Sequence, residues 1–212
     1  MPMDIARLRA ESWLIDVEWL DRADSTNDRG LSLASQPTTR TPLLIGADRQ
    51  DAGRGRGANR WWGADGALMF SVVVSMRDFG LSQSAWPRFS LVTGIAISET
   101  LGSFLPASGV GLKWPNDVWL SKRKVCGILI EQGALFPDRL VVGIGLNVNN
   151  SFEAAPADQR AIATSMVDAA HGVPFSRTDI LLMFLDRWRA LVQQLADGDV
   201  NLVARWSQFC VL

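Results

Sequence analysis

One histidine, two cysteines and no long apolar run set the first limits on this chain of 212 residues. His171 stands alone, so a multi-histidine metal site is excluded. A Ser–His triad would have to rest on that one residue, in the turn-like stretch AAHGVP. Cys126 and Cys210 form no CxxC pair, which speaks against a disulfide framework and against a zinc site. No window approaches the ~18 consecutive apolar residues that span a bilayer. The start, MPMDIARLRAES, carries charges where a signal peptide has its apolar segment. An excess of one charge is also missing: 21 Lys and Arg against 22 Asp and Glu leave −1. That is too little for bulk attraction to nucleic acid or to a membrane. The expectation is a cytoplasmic protein with neither as partner, in which positive charge acts locally.

What is present suits a soluble globular domain. Apolar residues make up 48% and charged residues 20%, enough for one substantial core. Apolar runs read as strands: LLIGA (43–47), ALMFSVVVSM (67–76), GVGLKWP (109–115), DVWLS (117–121), KVCGILIEQGAL (124–135) and RLVVGIGLNVN (139–149). The last four are joined by PN, KR and FPD, links too short for parallel crossovers, so antiparallel neighbours are expected. From Trp86 to Leu105, apolar and small residues recur at i, i+3, i+4 and i+7 up to Pro106, predicting a helix. The same pattern fills SRTDILLMFLDRWRALVQQLADG, which Ser176 or Thr178 can cap and Gly198 can end. A short helix should open at STNDRGLSLAS. The expected fold class is α+β, a mainly antiparallel sheet packed against helices. No internal repeat and no low-complexity linker is evident, and SFEAAPAD (151–158) reads as an exposed loop.

The oddest segment is DRQDAGRGRGANRWW (48–62). Between Asp48 and Arg60, four arginines against two aspartates leave +2. Glycine admits close backbone approach and arginine offers a planar fork for carboxylate or phosphate. Gly53 and Gly55 lack the lysine of a Walker A loop. Arginine–glycine alternation also occurs in RNA-binding segments, though these run longer. Alone, the stretch could equally be a solvated loop.

Other segments add weight. KWPND (113–117) places Lys113 at a strand end beside a Pro115 turn with Asn116 and Asp117. KRKVCGILIE (122–131) sets Lys124 just ahead of Gly127, and GIGLNVNN (143–150) adds strand glycines and asparagines. STN (25–27) supplies hydroxyls at a helix start with unpaired N–H groups.

In order, STN, Q-x-AGRGR, the following Trp, KWPND, K-x-x-GIL-x-E, GIGLNVN and TSM (164–166) resemble the biotin protein ligase family, biotin–[acetyl-CoA-carboxylase] ligases, from about Ser25 to Met166. The resemblance implies a class II synthetase-like biotin/lipoate ligase catalytic domain filling residues 1–212. It also implies a two-step reaction. Biotin and ATP give biotinyl-5′-AMP and pyrophosphate, and a lysine of a biotin carboxyl carrier protein then takes the biotinyl group. Fixed cations and Mg²⁺ would offset the charge that builds on the phosphoryl oxygens. A glycine-rich loop that orders over the ligand would protect the intermediate.

By position, the resemblance implies Arg56 and Lys124 as the catalytic cations, with Lys124 meeting both the biotin carboxylate and the α-phosphate. Ser25, Thr26, Asn27 and Gln50 would surround the ureido ring, with Gly53 and Arg54 completing the pocket. Gly127 and Gly145 would let the bicyclic ring and tail lie on strands. Trp61 would stack on adenine and Asn147 read its edge. Lys113, Asn116 and Asp117 would line the nucleotide side, with any Mg²⁺ near Asp117. Bland readings stand beside these: Trp62 as core, Cys126 as packing, Glu131 and Gln132 ending a strand in solvent, Asn149 and Asn150 as turn formers.

The chain also departs from the pattern. Where many relatives read GRGRxGRxW, this chain has GANRW, with Ala58 for glycine and Asn59 for arginine, so Arg60 is a candidate to compensate. Only 24 residues stand before STN, so no winged-helix DNA-binding domain is expected. The SH3-like C-terminal domain is expected to be absent or truncated, and the apolar end RWSQFCVL either tucks into the core or marks a cut. Homodimerisation is left open. A lipoate ligase or octanoyl transferase on the same fold, and a non-catalytic biotin- or adenylate-binding regulator, are the competing readings.

Overall fold

The computed structural model describes residues 2–106, 108–152, 155–198 and 201–211. A seven-stranded sheet organises them, in the order β1-β2-β3-β7-β6-β5-β4. Its strands are β1 (Asp16–Ala23), β2 (Leu43–Gln50), β3 (Leu68–Ser75), β4 (Val110–Lys113), β5 (Asp117–Leu120), β6 (Arg123–Gln132) and β7 (Arg139–Leu146). Every neighbouring pair from β2 to β4 is antiparallel, as the short links require. The exception is β1, which pairs parallel to β2. Its sequence, DVEWLDRA, is too polar to stand out as a strand, since it is an edge strand with one fully buried residue, Val17. The crossover that a parallel pair needs is α2 (Thr26–Ala34).

The long helices form where periodicity places them, α3 at Trp86–Phe104 and α6 at Arg177–Ala196. Ser176 caps α6, its hydroxyl accepting from the Asp179 N–H at 3.2 Å, and Gly198 leaves the helix at φ +74°. Thr178 is otherwise engaged, accepting from the Asp4 N–H at 3.0 Å. Shorter helices α1 (Ile5–Glu11), α4 (Ala157–Ile162), α5 (Met166–Ala169) and α7 (Leu202–Phe209) complete the chain. Each is too short for a helical repeat to emerge from sequence alone. Within the expected 151–158 loop, residues 153 and 154 lie outside the described residues, as does Leu212 at the apolar end. The preceding residues run beside β4, where the Val211 N–H donates to the Leu112 carbonyl at 2.9 Å.

The two sheet faces differ. One carries the main core, where α3 and α6 meet around Trp188, fully buried among Phe79, Phe89 and Phe184. Burying each such ring contributes about 1.5–3 kcal/mol, and the Trp188 indole N–H is satisfied by Thr93 Oγ1 at 3.0 Å. The other face is covered by α2, over a small cluster of Ala34, Leu43, Ile45, Val73 and Val141. Alternation along β3 therefore sends Phe70, Val72 and Val74 to the α3–α6 side and leaves Ser71 on the α2 side. Among the described residues no helix is long and apolar enough to cross a membrane.

Candidate functional site

A cleft of about 760 Å³ opens at the start of α2. The end of β2, loop 51–62, the β4–β5 turn and the adjoining parts of β6 and β7 all contribute to its wall. Arg56 and Lys124, 68 positions apart in sequence, line this one cleft. So do the polar residues expected at the two ends of a ligand, from Ser25 to Asn147. Gly53 is the exception: it lies behind the wall, where its carbonyl accepts from the Trp61 N–H at 2.9 Å. A Cβ there would meet the Trp61 carbonyl at 2.9 Å, so this glycine serves the pinch of the loop.

The loop is a small hairpin rather than a free strand. Arg54 bridges to Arg60, the Gly55 N–H donates to the Asn59 carbonyl at 2.8 Å, and Gly57 turns at φ +68°. Asn59 holds the turn, its Nδ2 donating to the Arg56 carbonyl at 2.9 Å. The four arginines then divide their work. Arg49 is bidentate to Asp65 at 2.8 and 2.6 Å, and Arg60 reaches the Asp51 carbonyl at 3.5 Å. Arg54 grips Glu131 with both arms, at 3.0 and 2.6 Å, and also meets Asp28 at 2.7 Å. The Glu131 hydrogen bonds raise the Arg54 pKa against the opposing effect of burial. Among the described residues the exposed guanidinium of Arg56 makes no ion pair. The loop therefore offers one uncommitted fork to an anion.

On the opposite wall, Lys124 Nζ is 2.6 Å from Asp117 Oδ1 and 5.9 Å from the Trp61 ring. Lys113 stacks over Trp119 at 4.4 Å. Asn116 fixes the β4–β5 turn, its Nδ2 donating to the Ile128 carbonyl at 2.8 Å. Asn147 is buried, with Nδ2 donating to the Thr164 carbonyl at 3.0 Å and Oδ1 accepting from Asn150 at 3.1 Å. Both ends of that amide thus have protein partners, and Asn150 acts as its brace instead of a turn former.

The polar corner is built on the α2 start. Ser25 caps the helix, its Oγ accepting from the Asp28 N–H at 3.4 Å. Gln50 Oε1 accepts from the Thr26 N–H at 2.7 Å. Asn27 donates to the Leu129 carbonyl at 3.1 Å and to Glu131 at 2.9 Å.

Three expectations need correction. Gly127 and Gly145 face each other across β6 and β7 and both line the cleft floor. The indole of Trp61 lies over it, and a Cβ on Gly145 would sit 2.7 Å from Trp61 Cδ2. The aromatic expected against adenine and the glycines expected beneath the fused ring therefore share one spot. Trp62 belongs to a satellite cluster with Phe152, Ala155 and Ala163 on the cleft wall, its ring 5.3 Å from Phe152, and not to the main core. Glu131 does not end in solvent. The period-2 alternation Gly127, Leu129, Glu131 was the available signal, since it puts the carboxylate on the cleft side of β6. Cys126, by the same alternation, is fully buried in the core, and burial pushes its thiol pKa well up. His171 sits in an exposed turn at φ +52°, outside the cleft.

Comparison with known proteins agrees with this geometry. The family model described as "Biotin/lipoate A/B protein ligase family" matches residues 19–149, more than half of the chain. The biotin–[acetyl-CoA-carboxylase] ligase of Mycobacterium tuberculosis is 30% identical over 210 residues, covering 96% of this chain and 76% of that protein. A ligase of the same name from Paracoccus denitrificans is 33% identical, covering 81% of this chain and 72% of its own length. Among solved structures, the biotin protein ligase from Aquifex aeolicus in complex with biotin and ATP superposes with a TM-score of 0.78 at 29% identity. That match covers 93% of this chain and 79% of the other. With the cleft, the sheet order and the sequence match in agreement, the chain belongs to the biotin/lipoate A/B protein ligase family.

Proposed function

We propose that this chain is an ATP-dependent biotin protein ligase. The observation that carries the reading is the meeting of Arg56 and Lys124 in one cleft whose far corner is the hydrogen-bonding set Ser25, Thr26 and Gln50. A carboxylate brought to a triphosphate joins like charges, and the transition state adds negative charge to the phosphoryl oxygens. Cations already placed on two walls reduce that cost without reorganising during the reaction. Lys124, held by Asp117, would orient the biotin carboxylate toward the α-phosphorus, and Arg56 would take the phosphate oxygens. The products are biotinyl-5′-AMP and pyrophosphate. The ε-amine of a carrier-protein lysine then attacks the anhydride carbonyl and AMP leaves.

The remaining wall residues follow from this assignment. Thr26, Asn27, Gln50 and Arg54 would enclose the ureido end, with Gly53 and Gly127 shaping the loop and floor. Trp61, seated on Gly145, would form the wall between the biotin and adenine halves, with Asn147, Lys113 and Asn116 on the nucleotide side. Among the described residues no three His, Cys, Asp or Glu side chains cluster. Asp117 with Asn116 suits Mg²⁺ carried mainly on nucleotide phosphates, where the ion supplies charge neutralisation. The acceptor would be a biotin carboxyl carrier protein, and the compartment the cytoplasm.

Intact-mass analysis of a carrier domain incubated with this protein, biotin and Mg-ATP tests the reading. The expected result is a mass increase of one biotinyl group, and none with lipoate. Adenylate binding without transfer would make the chain a binding regulator, and transfer of lipoate would place it with the lipoate ligases.

A further inference from the structure

The tip of the cationic hairpin, residues 55–59, is where this chain carries Ala58 and Asn59 in place of the glycine and arginine of many relatives. Asn59 closes that tip with three hydrogen bonds. Its carbonyl accepts from the Gly55 N–H at 2.8 Å. Its own N–H, at 3.4 Å, and its Nδ2, at 2.9 Å, both donate to the Arg56 carbonyl. A short side-chain amide can fold back in this way onto the backbone of its own turn. Gly55 makes room for it, since a Cβ there would lie 3.3 Å from Asn59 Cβ, and Gly57 supplies the left-handed turn between them. Below the tip, the Arg54–Arg60 bridge and the Trp61 N–H on the Gly53 carbonyl fasten the two limbs.

The loop's other three arginines are held by their side chains, Arg49 on Asp65, Arg54 on Glu131 and Arg60 on the Asp51 carbonyl. Arg56 has to keep its fork open for an anion, so only its backbone can be fixed in advance. That is the part Asn59 holds. We infer that Asn59 is a positioning residue that clamps the Arg56 carbonyl and so keeps the Arg56 guanidinium on the cleft wall before any ligand arrives. The inference rests on the proposed ligase reading, in which Arg56 meets the phosphate oxygens. A glycine-rich tip without the clamp would sample many conformations, few of which present the cation. Fixing one of them during each turnover costs entropy that a preformed turn does not.

The test measures pyrophosphate release by the full chain with biotin and Mg-ATP. Asn59→Ala should lower kcat about fivefold, the worth of one exposed hydrogen bond, while KM for biotin holds. Asn59→Ser differs from the alanine variant by one hydroxyl, a short donor that can reach the same carbonyl, and should recover part of the rate. In an Arg56→Ala background the Asn59→Ala substitution should have no further effect on kcat, because the group it positions is gone. A full further loss in that background would mean that Asn59 acts on the ligand itself, and the clamp is overturned. An unchanged kcat in Asn59→Ala, a rise in KM for biotin alone, or a serine variant no faster than the alanine one would overturn it too. Failure of the unmodified protein to release pyrophosphate at all would instead remove the proposed function, and the role of Asn59 with it.

Discussion

The indole of Trp61 rests on Gly145, closely enough that a Cβ on that glycine would overlap the ring. A loop residue and a strand residue are thereby tied into one wall. The Trp61 Nε1 is buried without a hydrogen-bond partner, so the ring is held there by contact area rather than by a polar anchor. Gly127, the register partner of Gly145, lies under the ring edge, 3.1 Å from Cζ3 when given a Cβ.

Gly145→Ala should therefore lift Trp61 and distort the wall. Overpacking of this kind costs about 1–3 kcal/mol, so biotin affinity should drop about tenfold or more by titration. In a Trp61→Ala background the same glycine substitution should cost much less, because the ring it collides with is gone. Equal losses in both backgrounds would show that the two residues do not communicate.

Lys124→Ala should impair adenylate formation far more than biotin binding. Losing a placed cation at a developing charge costs about 10²–10³-fold in rate, whereas biotin affinity should change by less than about tenfold. Pyrophosphate release measured beside titration separates the two. Matching losses would mean that Lys124 serves ground-state binding only.

The Arg54–Glu131 pair should hold the loop closed. It is bidentate but partly exposed, at 36% and 25% of the side chains, so after solvent screening it contributes only ~1 kcal/mol. Glu131→Ala should still raise the rate of tryptic cleavage after Arg56 severalfold, because the exposed loop then opens more often. Unchanged cleavage would show that Asp28 alone suffices as the anchor.

Cys126 should be unreactive in the folded protein. With its thiol pKa pushed up by burial, alkylation at mildly alkaline pH should modify the half-buried Cys210 first. The sign of the stability effect follows. Below the ordinary thiol pKa of ~8.5 both states hold the proton and the residue contributes no pH dependence. Above it the unfolded chain loses the proton while the folded one keeps it, so stability falls by up to ~1.4 kcal/mol per pH unit. Denaturant titrations from pH 8 to 10 should show this decline, and Cys126→Ala should remove it.

Much of the fold was legible because its signals are local. The strand runs from Leu43 onward, the two long helices, and the antiparallel order of β4 to β7 follow from periodicity and link length. The polar edge strand β1 and its parallel pairing were not, since an exposed strand carries no apolar run and a crossover has no local signature. At the site, the residue types and their order were readable. How they divide their hydrogen bonds was not.

The sequence by itself determined the chemistry available: a glycine–arginine loop, two strand lysines, a hydroxyl-bearing helix start and the family they spell. Tertiary structure decided which groups are free to act. Arg54 is consumed by Glu131 and Arg49 by Asp65, while Arg56 is left open, and Ser71 reaches Asn27 across 44 residues. Covalent order specifies which donors and acceptors exist. Only packing brings distant ones within 3 Å, and at that range each proton is committed to one partner and withheld from the rest.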